Sequence, residues 1–253
     1  MAKTGVRYSY KTSDLVSAYY LAKDVVLNAG YGSEVDWQGS IRFEDITESD
    51  FLREYAWVVL CSGMREEVIR RLFGPISHCF FDWESSKRIV TEADFCFRLA
   101  LHEFNHNGKI SAIIRTAQLI DNMGFDSFKQ SIDKNSLATI RTLPYIGPVT
   151  CYHLAKNLGL PFAKPDRHLV RLAQAVGYDN VKDFCEAISL ETGDPIQVVD
   201  IVLWRFATIE TAYLKLFSEI SPIKRPIRRL KPRSLLDHTR PDAADPKIAL
   251  ALG

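Results

Sequence analysis

Apolar residues recur every three to four positions along most of the chain, which is the spacing that buries one face of an α-helix. Residues 49–61, SDFLREYAWVVLC, carry a dense apolar face and predict a buried helix. Strand-like alternation of apolar and polar positions is rare. The same helical spacing predicts helices over residues 13–29, 64–73, 91–103, 109–122, 135–142, 149–158, 167–176, 181–190 and 195–217. The chain is therefore expected to have an all-α fold.

Two internal stretches break this pattern. Residues 31–47 show no continuous apolar face and are expected to form a loop. Gly74-Pro75 should end the helix over 64–73, because proline removes a helical hydrogen bond. Residues 74–90 are then expected to form a second loop, which is rich in aromatic residues.

The charge is distributed unevenly, although the 253-residue chain has a formal net charge of +1. Residues 141–171 carry five basic groups against the single carboxylate of Asp166, and residues 221–233 carry six basic groups and no acidic one. Such clusters favour a polyanionic partner that contacts one face, with a solvated basic tail as the alternative for 221–233. We expect a folded domain over about 1–233 and a tail over 221–253 that is basic first and then loose.

Composition excludes several classes of protein. Hydrophobic residues make up 47% and charged residues 25%, which is typical of a soluble globular protein. No apolar run is long enough to cross a membrane, and the N-terminus has no apolar signal core, so a cytoplasmic protein is expected. The five cysteines are widely spaced without a C-x-x-C pair, which favours reduced thiols and argues against an iron–sulfur cluster.

Residues 143–148, LPYIGP, predict a tight turn between two helices. Leu143 ends the first helix, and Pro144 prevents its continuation. Gly147 is expected to adopt a backbone conformation that a side chain would oppose, and Pro148 fits the first turn of the next helix. Such a turn points backbone N–H groups outward and binds phosphate without reading bases. An ordinary corner between two helices is the alternative.

Asp166 lies 19 residues after Gly147, immediately before the expected helix start at Arg167. The simplest role for Asp166 is that of a helix N-cap, which accepts hydrogen bonds from the N–H groups of the first turn. A helix N-terminus also favours and orients the charged form of a carboxylate. Capping and chemistry are therefore compatible at this position.

Residues 102–106, HEFNH, fit the H-E-x-x-H zinc-protease pattern, with His102 and His106 as ligands and Glu103 as the base. That site needs both histidines on one helix and a third ligand downstream. Asn107-Gly108 should end the helix near His106, and no suitable third ligand follows. A zinc hydrolase is therefore a remote alternative.

Residues 137–172, LATIRTLPYIGPVTCYHLAKNLGLPFAKPDRHLVRL, resemble the helix-hairpin-helix DNA glycosylases, the superfamily of endonuclease III and the adenine glycosylases. Residues 108–120 resemble the helix before the family's hairpin, and residues 56–73 more loosely resemble its early buried helix and following loop. The resemblance covers about residues 50–175.

The resemblance implies two helical lobes with a DNA-binding cleft between them. One lobe is expected over about 48–164, including the hairpin 143–148. The other is expected over about 1–47 together with 165–220.

By the same resemblance, the chain is a DNA N-glycosylase, and Asp166 is its catalytic aspartate. A fixed carboxylate stabilises the positive charge that develops on the sugar, and it can orient or deprotonate the attacking water. Family members that also cut the backbone carry a lysine nucleophile where this chain has Val149, which indicates a monofunctional enzyme that leaves an abasic site. Lys156 is a remote alternative nucleophile. The residues expected to contact DNA are Leu143, Pro144, Tyr145, Ile146, Gly147, Val149, Thr150, Lys164, Arg167 and His168; for His168, a place in the first helical turn is the alternative.

An enzyme that acts on a base in a duplex must extrude the base and fill the gap. In the resemblance the filling side chain comes from the loop after the early helix, here Met64 followed by Arg65. Ordinary core packing is the alternative for Met64. Aromatic residues are expected to line the base pocket by stacking, with Trp57, Phe81 and Trp83 as candidates.

The expected partner is double-stranded DNA, bound by a monomer that associates with the nucleoid and contacts no membrane. The resemblance allows a single monovalent cation, Mg²⁺ or Ca²⁺ on the backbone carbonyls of Leu143 and Tyr145, and it implies no required cofactor. Base excision repair and removal of modified foreign bases, for example in viral DNA as an antiviral defence, both fit. A non-catalytic helix-hairpin-helix DNA-binding protein remains the principal alternative.

Overall fold

The computed structural model describes residues 15–218. These residues form helices joined by turns, without a strand among them, which confirms the all-α prediction. The α-helices are α1 (Leu15–Val26), α2 (Gly32–Ser40), α3 (Glu48–Cys61), α4 (Glu66–Cys79), α5 (Ser86–Thr91), α6 (Ala93–Glu103), α7 (Asn107–Met123), α8 (Phe125–Lys134), α9 (Ser136–Arg141), α10 (Thr150–Asn157), α11 (Arg167–Ala175), α12 (Val181–Thr192), α13 (Ile196–Ile209) and α14 (Tyr213–Ser218). The predicted tail over 221–253 lies outside the described residues.

The described chain divides into two compact units, which we name by their place in the sequence. The central unit comprises residues 41–160. The terminal unit comprises residues 15–40 and 161–218. In the structure, the chain passes from one unit to the other after residues 40 and 160. The lobe boundaries expected from the sequence were at about residues 47 and 164.

Residues 41–47 belong to the central unit because they pack on its helices. The Lys129 ammonium, on α8, donates hydrogen bonds to the carbonyls of Glu44 and Ile46, at 2.6 and 2.9 Å. The backbone of Ile41 to Phe43 also passes directly against Gly159, which follows α10. The sequence pattern alone does not reveal these long-range contacts.

The terminal unit is built around one apolar core supplied by α1 and α11 to α14. Its polar connections are also well defined. The Arg205 guanidinium donates two hydrogen bonds to one carboxylate oxygen of Glu34 and lies 4.3 Å from the ring centre of Tyr31. Tyr19 and Lys23 both donate to the Asp194 carboxylate, which ties α1 to the turn before α13.

The predicted loop over 31–47 is wrong, because residues 32–40 form α2. Only Val35 and Gln38 of this helix are buried, too few to give an apolar pattern. Contacts with α13 stabilise this helix instead: Glu34 binds Arg205, and Gly39 lies close to Val198.

The predicted helix end at Gly74-Pro75 is also wrong, because α4 continues to Cys79. Ile76 is fully buried on the same face as Ile69, so burial outweighs the hydrogen bond that Pro75 cannot make. The Ser77 hydroxyl donates to the carbonyl of Phe73, at 2.7 Å, and stabilises the turn around the proline.

Helix α8 was not predicted, because only a few of its positions are apolar. Phe128 and Ile132 are both buried, and their spacing of four residues places them on the same face of α8. These two side chains pack the helix against the core. In contrast, the predicted helix over 195–217 is divided into α13 and α14 by residues 210–212.

In the central unit, α7 packs against α3, α5, α6 and α8. After α4 the chain makes an unusual turn, in which Phe81, Asp82 and Trp83 all have positive φ, from 51° to 66°. A left-handed turn costs about 1–2 kcal/mol per residue. Trp83 offsets this cost, since it is buried, stacks on Phe80 and donates its Nε1–H to the Ser77 hydroxyl at 3.0 Å.

Between residues 15 and 218, no helix combines the length and apolar character that a membrane span requires.

Candidate nucleic-acid interface and catalytic carboxylate

The hairpin 143–148 is a tight turn closed by a hydrogen bond from the N–H of Ile146 to the carbonyl of Leu143, at 3.1 Å. The residue with left-handed backbone is Tyr145, at φ 61°, and not Gly147. This corrects the prediction for Gly147. A type II turn, which accepts proline at its second position, needs a positive φ at its third position, and here that position is occupied by tyrosine.

Tyr145 is held in this conformation by residues outside the hairpin. A Cβ on residue 108 would lie only 2.5 Å from the Tyr145 hydroxyl oxygen. The tyrosine ring therefore fits in this position only because residue 108 is glycine. The Tyr145 ring packs nearly perpendicular to the ring of His106, with centroids 5.9 Å apart. Tyr55, on α3, also stabilises the turn, because its buried hydroxyl donates a hydrogen bond to the carbonyl of Pro144, at 2.7 Å. The sequence did not indicate any of these three supports.

The predicted DNA contacts of the hairpin fall into two groups. Leu143 and Ile146 are buried, and their side chains anchor the turn. Tyr145 and Val149 are exposed by 46% and 39%, so they form its outer surface. Thr150 begins α10, and its hydroxyl oxygen accepts the N–H of Gly147 at 2.6 Å.

Two backbone N–H groups at the start of α10 remain available. Within the described chain, the N–H groups of Val149 and Thr150 have no hydrogen-bond acceptor. Unsatisfied N–H groups at a helix start attract anions. A cation on the Leu143 carbonyl, as the resemblance allows, would share that oxygen with the turn hydrogen bond from Ile146.

The loop after α3 is fixed by a buried lysine. Lys109, in the first turn of α7, donates to the carbonyls of Leu60 and Ser62, at 2.7 and 2.6 Å. Burial lowers the pKa of Lys109 below its usual value. Met64 projects from this loop and is 41% exposed, which contradicts core packing for this side chain. Arg65, next to it, is also exposed.

The three candidate aromatic residues of the base pocket have different surroundings. Trp83 is in the core, as described above, which leaves no face of its ring for a base. Trp57 is half-buried and packs edge-on against Phe73, with centroids 5.1 Å apart. Phe81 is half-buried, and the Arg88 guanidinium lies 4.2 Å from its ring centre.

The zinc-protease pattern at 102–106 is divided between two helices. Helix α6 ends at Glu103, and His106 is the N-cap of α7, where its Nδ1 accepts the N–H of Lys109 at 3.3 Å. The two histidines therefore do not share a helix, as that site requires. Residues 15–218 contain no group of three or more histidine, cysteine or acidic side chains placed to hold a metal ion.

In the terminal unit, Asp166 is the N-cap of α11. Its Oδ1 accepts the N–H groups of His168 and Leu169, at 2.9 and 3.0 Å. Its Oδ2 receives no hydrogen bond from any described residue, and the side chain is only half-buried. One oxygen therefore orients the carboxylate, and the other remains available to a ligand or water.

The neighbours of Asp166 differ in their availability. Arg167 is exposed. His168 is half-buried, with Nδ1 3.3 Å from the Tyr213 hydroxyl and Nε2 accepting from Arg167 at 3.3 Å. Burial lowers the pKa of His168, while the charge of Asp166 opposes this shift. These contacts favour a place in the helix start over a phosphate contact. The backbone N–H of Lys164 donates to Asp200, at 2.6 Å.

The steric role of Gly108 gives the first prediction. Gly108→Ala places a Cβ against Tyr145, and the tyrosine must leave its position. We expect duplex DNA affinity to fall about tenfold, since a displacement of about 1 Å in a binding group can cost that much or more. Gly74→Ala is the matched control, because a Cβ there would meet no atom within 4 Å and Gly74 lies outside the hairpin. Fluorescence anisotropy with a labelled duplex measures both, and equal losses would contradict the assignment of Gly108.

Comparison of the chain with protein-family models, with curated proteins and with solved structures finds no match in any of the three.

Proposed function

We propose that this protein is a monofunctional DNA N-glycosylase, which hydrolyses the bond between a damaged or modified base and its deoxyribose. The observation that carries the proposal is the carboxylate of Asp166. Two backbone N–H groups hold its Oδ1, and Oδ2 has no donor among residues 15–218. The proposal also rests on the resemblance of residues 137–172 to the helix-hairpin-helix glycosylases.

The arrangement at Asp166 suits the electrostatics of base excision. As the glycosidic bond breaks, positive charge develops on the sugar, and a fixed negative charge stabilises that state more than the ground state. Because the helix start already holds the carboxylate in place, little reorganisation is needed during the reaction. The available Oδ2 would face the cationic sugar or accept a proton from the attacking water.

The hairpin of the central unit is the proposed DNA-backbone contact. It offers the N–H groups of Val149 and Thr150 as phosphate donors, together with the exposed side chains of Tyr145 and Val149. Backbone contacts of this kind fix register without sequence preference. Basic side chains in residues 141–171 would add counterion release, so affinity is expected to fall steeply with salt.

An abasic-site analogue tests the catalytic proposal without knowledge of the excised base. Duplex DNA carrying a cationic pyrrolidine in place of one deoxyribose mimics the charged transition state, and a neutral tetrahydrofuran at the same position is its control. We expect wild type to prefer the cationic duplex by about 100-fold, at the low end for transition-state analogues. Asp166→Asn should bind the two duplexes nearly equally. Equal binding by wild type would contradict catalysis and favour the non-catalytic DNA-binding protein.

Because valine occupies position 149, where the related strand-cleaving enzymes have a lysine, we expect no strand cleavage. An amine nucleophile would form a Schiff base with the sugar, which borohydride reduces to a stable protein–DNA adduct. Lys156, the alternative nucleophile, is only 4% exposed. We therefore expect no adduct with abasic DNA under borohydride. Denaturing electrophoresis measures this directly, and a trapped adduct would overturn the monofunctional assignment.

A further inference from the structure

We infer that Asp200, on α13, is a positioning residue for Asp166, and this inference rests on the function proposed above. Asp200 lies 34 positions after Asp166 in the chain, and nothing in the hairpin pattern points to it. It acts through the segment that leads into α11, and it does not itself contact the reacting atoms.

The connection runs through Lys164. The buried carboxylate of Asp200 accepts the backbone N–H of Lys164, with Oδ2 and N 2.6 Å apart. The backbone carbonyl of Lys164 in turn accepts the N–H of Asp166, at 2.8 Å. Only Pro165 therefore separates Asp166 from a residue that is anchored in the core of the terminal unit. Its own carbonyl then accepts the N–H of Val170 within α11, at 2.9 Å.

The segment that leads into α11 is not part of a helix. Residues 158–166 have no helical assignment, so individual contacts rather than a repeating helical hydrogen-bond pattern hold their backbone. Pro165, between Lys164 and Asp166, has no N–H to donate and a restricted φ. Ala163 is buried but too small to fix the segment by packing alone. The hydrogen bond to Asp200 fixes the backbone of Lys164, and the restricted φ of Pro165 carries that constraint to Asp166.

The Asp200 carboxylate makes this contact inside the core of the terminal unit. Its side chain is only 2% exposed, on a helix whose other buried residues are mostly apolar. Removing a carboxylate from water is costly, and an apolar residue of similar size often serves stability equally well. A carboxylate at this position accepts the N–H of Lys164, which an apolar residue cannot do.

Asp200→Leu removes the acceptor at similar volume, whereas Asp200→Asn keeps an oxygen that can accept from Lys164. Asp194→Leu is the matched control, since it removes a carboxylate beside α13 that binds Tyr19 and Lys23 and not the 161–166 segment. If Asp200→Leu does not fold, Asp200→Ser replaces it, because its shorter side chain also withdraws the acceptor. Each variant is the full chain.

The first measurement is amide hydrogen exchange at His168 and Leu169, the two N–H groups bound by Asp166. Loss of the anchor should accelerate exchange about tenfold at these two amides in Asp200→Leu, with wild-type exchange in Asp200→Asn and Asp194→Leu. A merely structural role would instead accelerate exchange throughout the terminal unit, or in Asp194→Leu as well. Either of those results would overturn the inference.

The second measurement is the preference for pyrrolidine over tetrahydrofuran duplex DNA. Asp200→Leu should reduce this preference about tenfold, because a small displacement of a catalytic group has a large cost, while its affinity for the neutral duplex stays unchanged. Asp200→Asn and Asp194→Leu should keep the wild-type preference. A wild-type preference in Asp200→Leu would overturn the positioning role alone. If wild type and Asp166→Asn show no preference, the proposed function fails, and the positioning role fails with it.

Discussion

Replacing Asp166 with asparagine is expected to lower the rate of base release by about 10²–10³-fold, the usual cost of losing one electrostatic group from a transition state. Asparagine has the same shape, and its oxygen can still accept the N–H groups of His168 and Leu169. What it loses is the negative charge that the cationic sugar needs. DNA affinity should therefore stay within about threefold of wild type, because the lost interaction belongs to the transition state.

A second helix cap in the same unit provides the control for this prediction. The Asn180 side chain accepts the N–H of Asp183 at the start of α12, at 2.9 Å. Asn180→Ala should cost about 1 kcal/mol of unfolding free energy, as cap removal usually does, and should leave base release unchanged. Single-turnover rates and dissociation constants separate the two effects. Parallel loss of affinity and activity in Asp166→Asn would indicate a structural cap only.

Gly159→Ala is expected to give the largest loss of stability, roughly 3 kcal/mol, which is at the upper end for single substitutions. Gly159 has a φ of 81°, so any side chain is strained there. A Cβ would also lie 2.9 Å from the carbonyl oxygen of Ile41 and 3.0 Å from the nitrogen of Phe43. Both neighbours are backbone atoms, which cannot move aside as a flexible side chain can.

Gly193→Ala separates the two causes of this loss. Gly193 also has a left-handed backbone, at φ 77°, but a Cβ there would meet no atom within 4 Å. Only the conformational cost of about 1–2 kcal/mol applies at Gly193. Urea unfolding of both variants gives the comparison. Equal losses would show that the approach of residues 41–43 to Gly159 is looser than the structure describes.

The sequence predicted those helices whose apolar face is dense enough to be seen locally. Helix α3 is an example, since most of its residues are buried. Helix α2 was missed because it has few buried residues and is held by contacts such as Glu34 with Arg205. The end of α4 was predicted wrongly because burial of Ile76 outweighed the effect of Pro75.

The candidate site shows the same division between local and long-range information. The capping geometry of Asp166 was predictable, because a cap depends on neighbours two and three residues away. The left-handed residue of the hairpin was not, since Tyr145 depends on the absent side chain of Gly108. Asp200 could not be found from sequence either, because its hydrogen bond to Lys164 spans 36 positions. The catalytic role of Asp166 stays a prediction.

Release of free base, followed by mass spectrometry, tests the central claim most directly. Wild type and Asp166→Asn would each be incubated with duplex DNAs that contain alkylated, oxidised, deaminated or naturally hypermodified bases. If Asp166 is the catalytic group, wild type releases a base from at least one of these DNAs, and Asp166→Asn releases that base about 10²–10³-fold more slowly. Release by both proteins at similar rates would contradict catalysis by Asp166. Release by neither protein, with salt-sensitive DNA binding retained, would contradict the glycosylase activity itself.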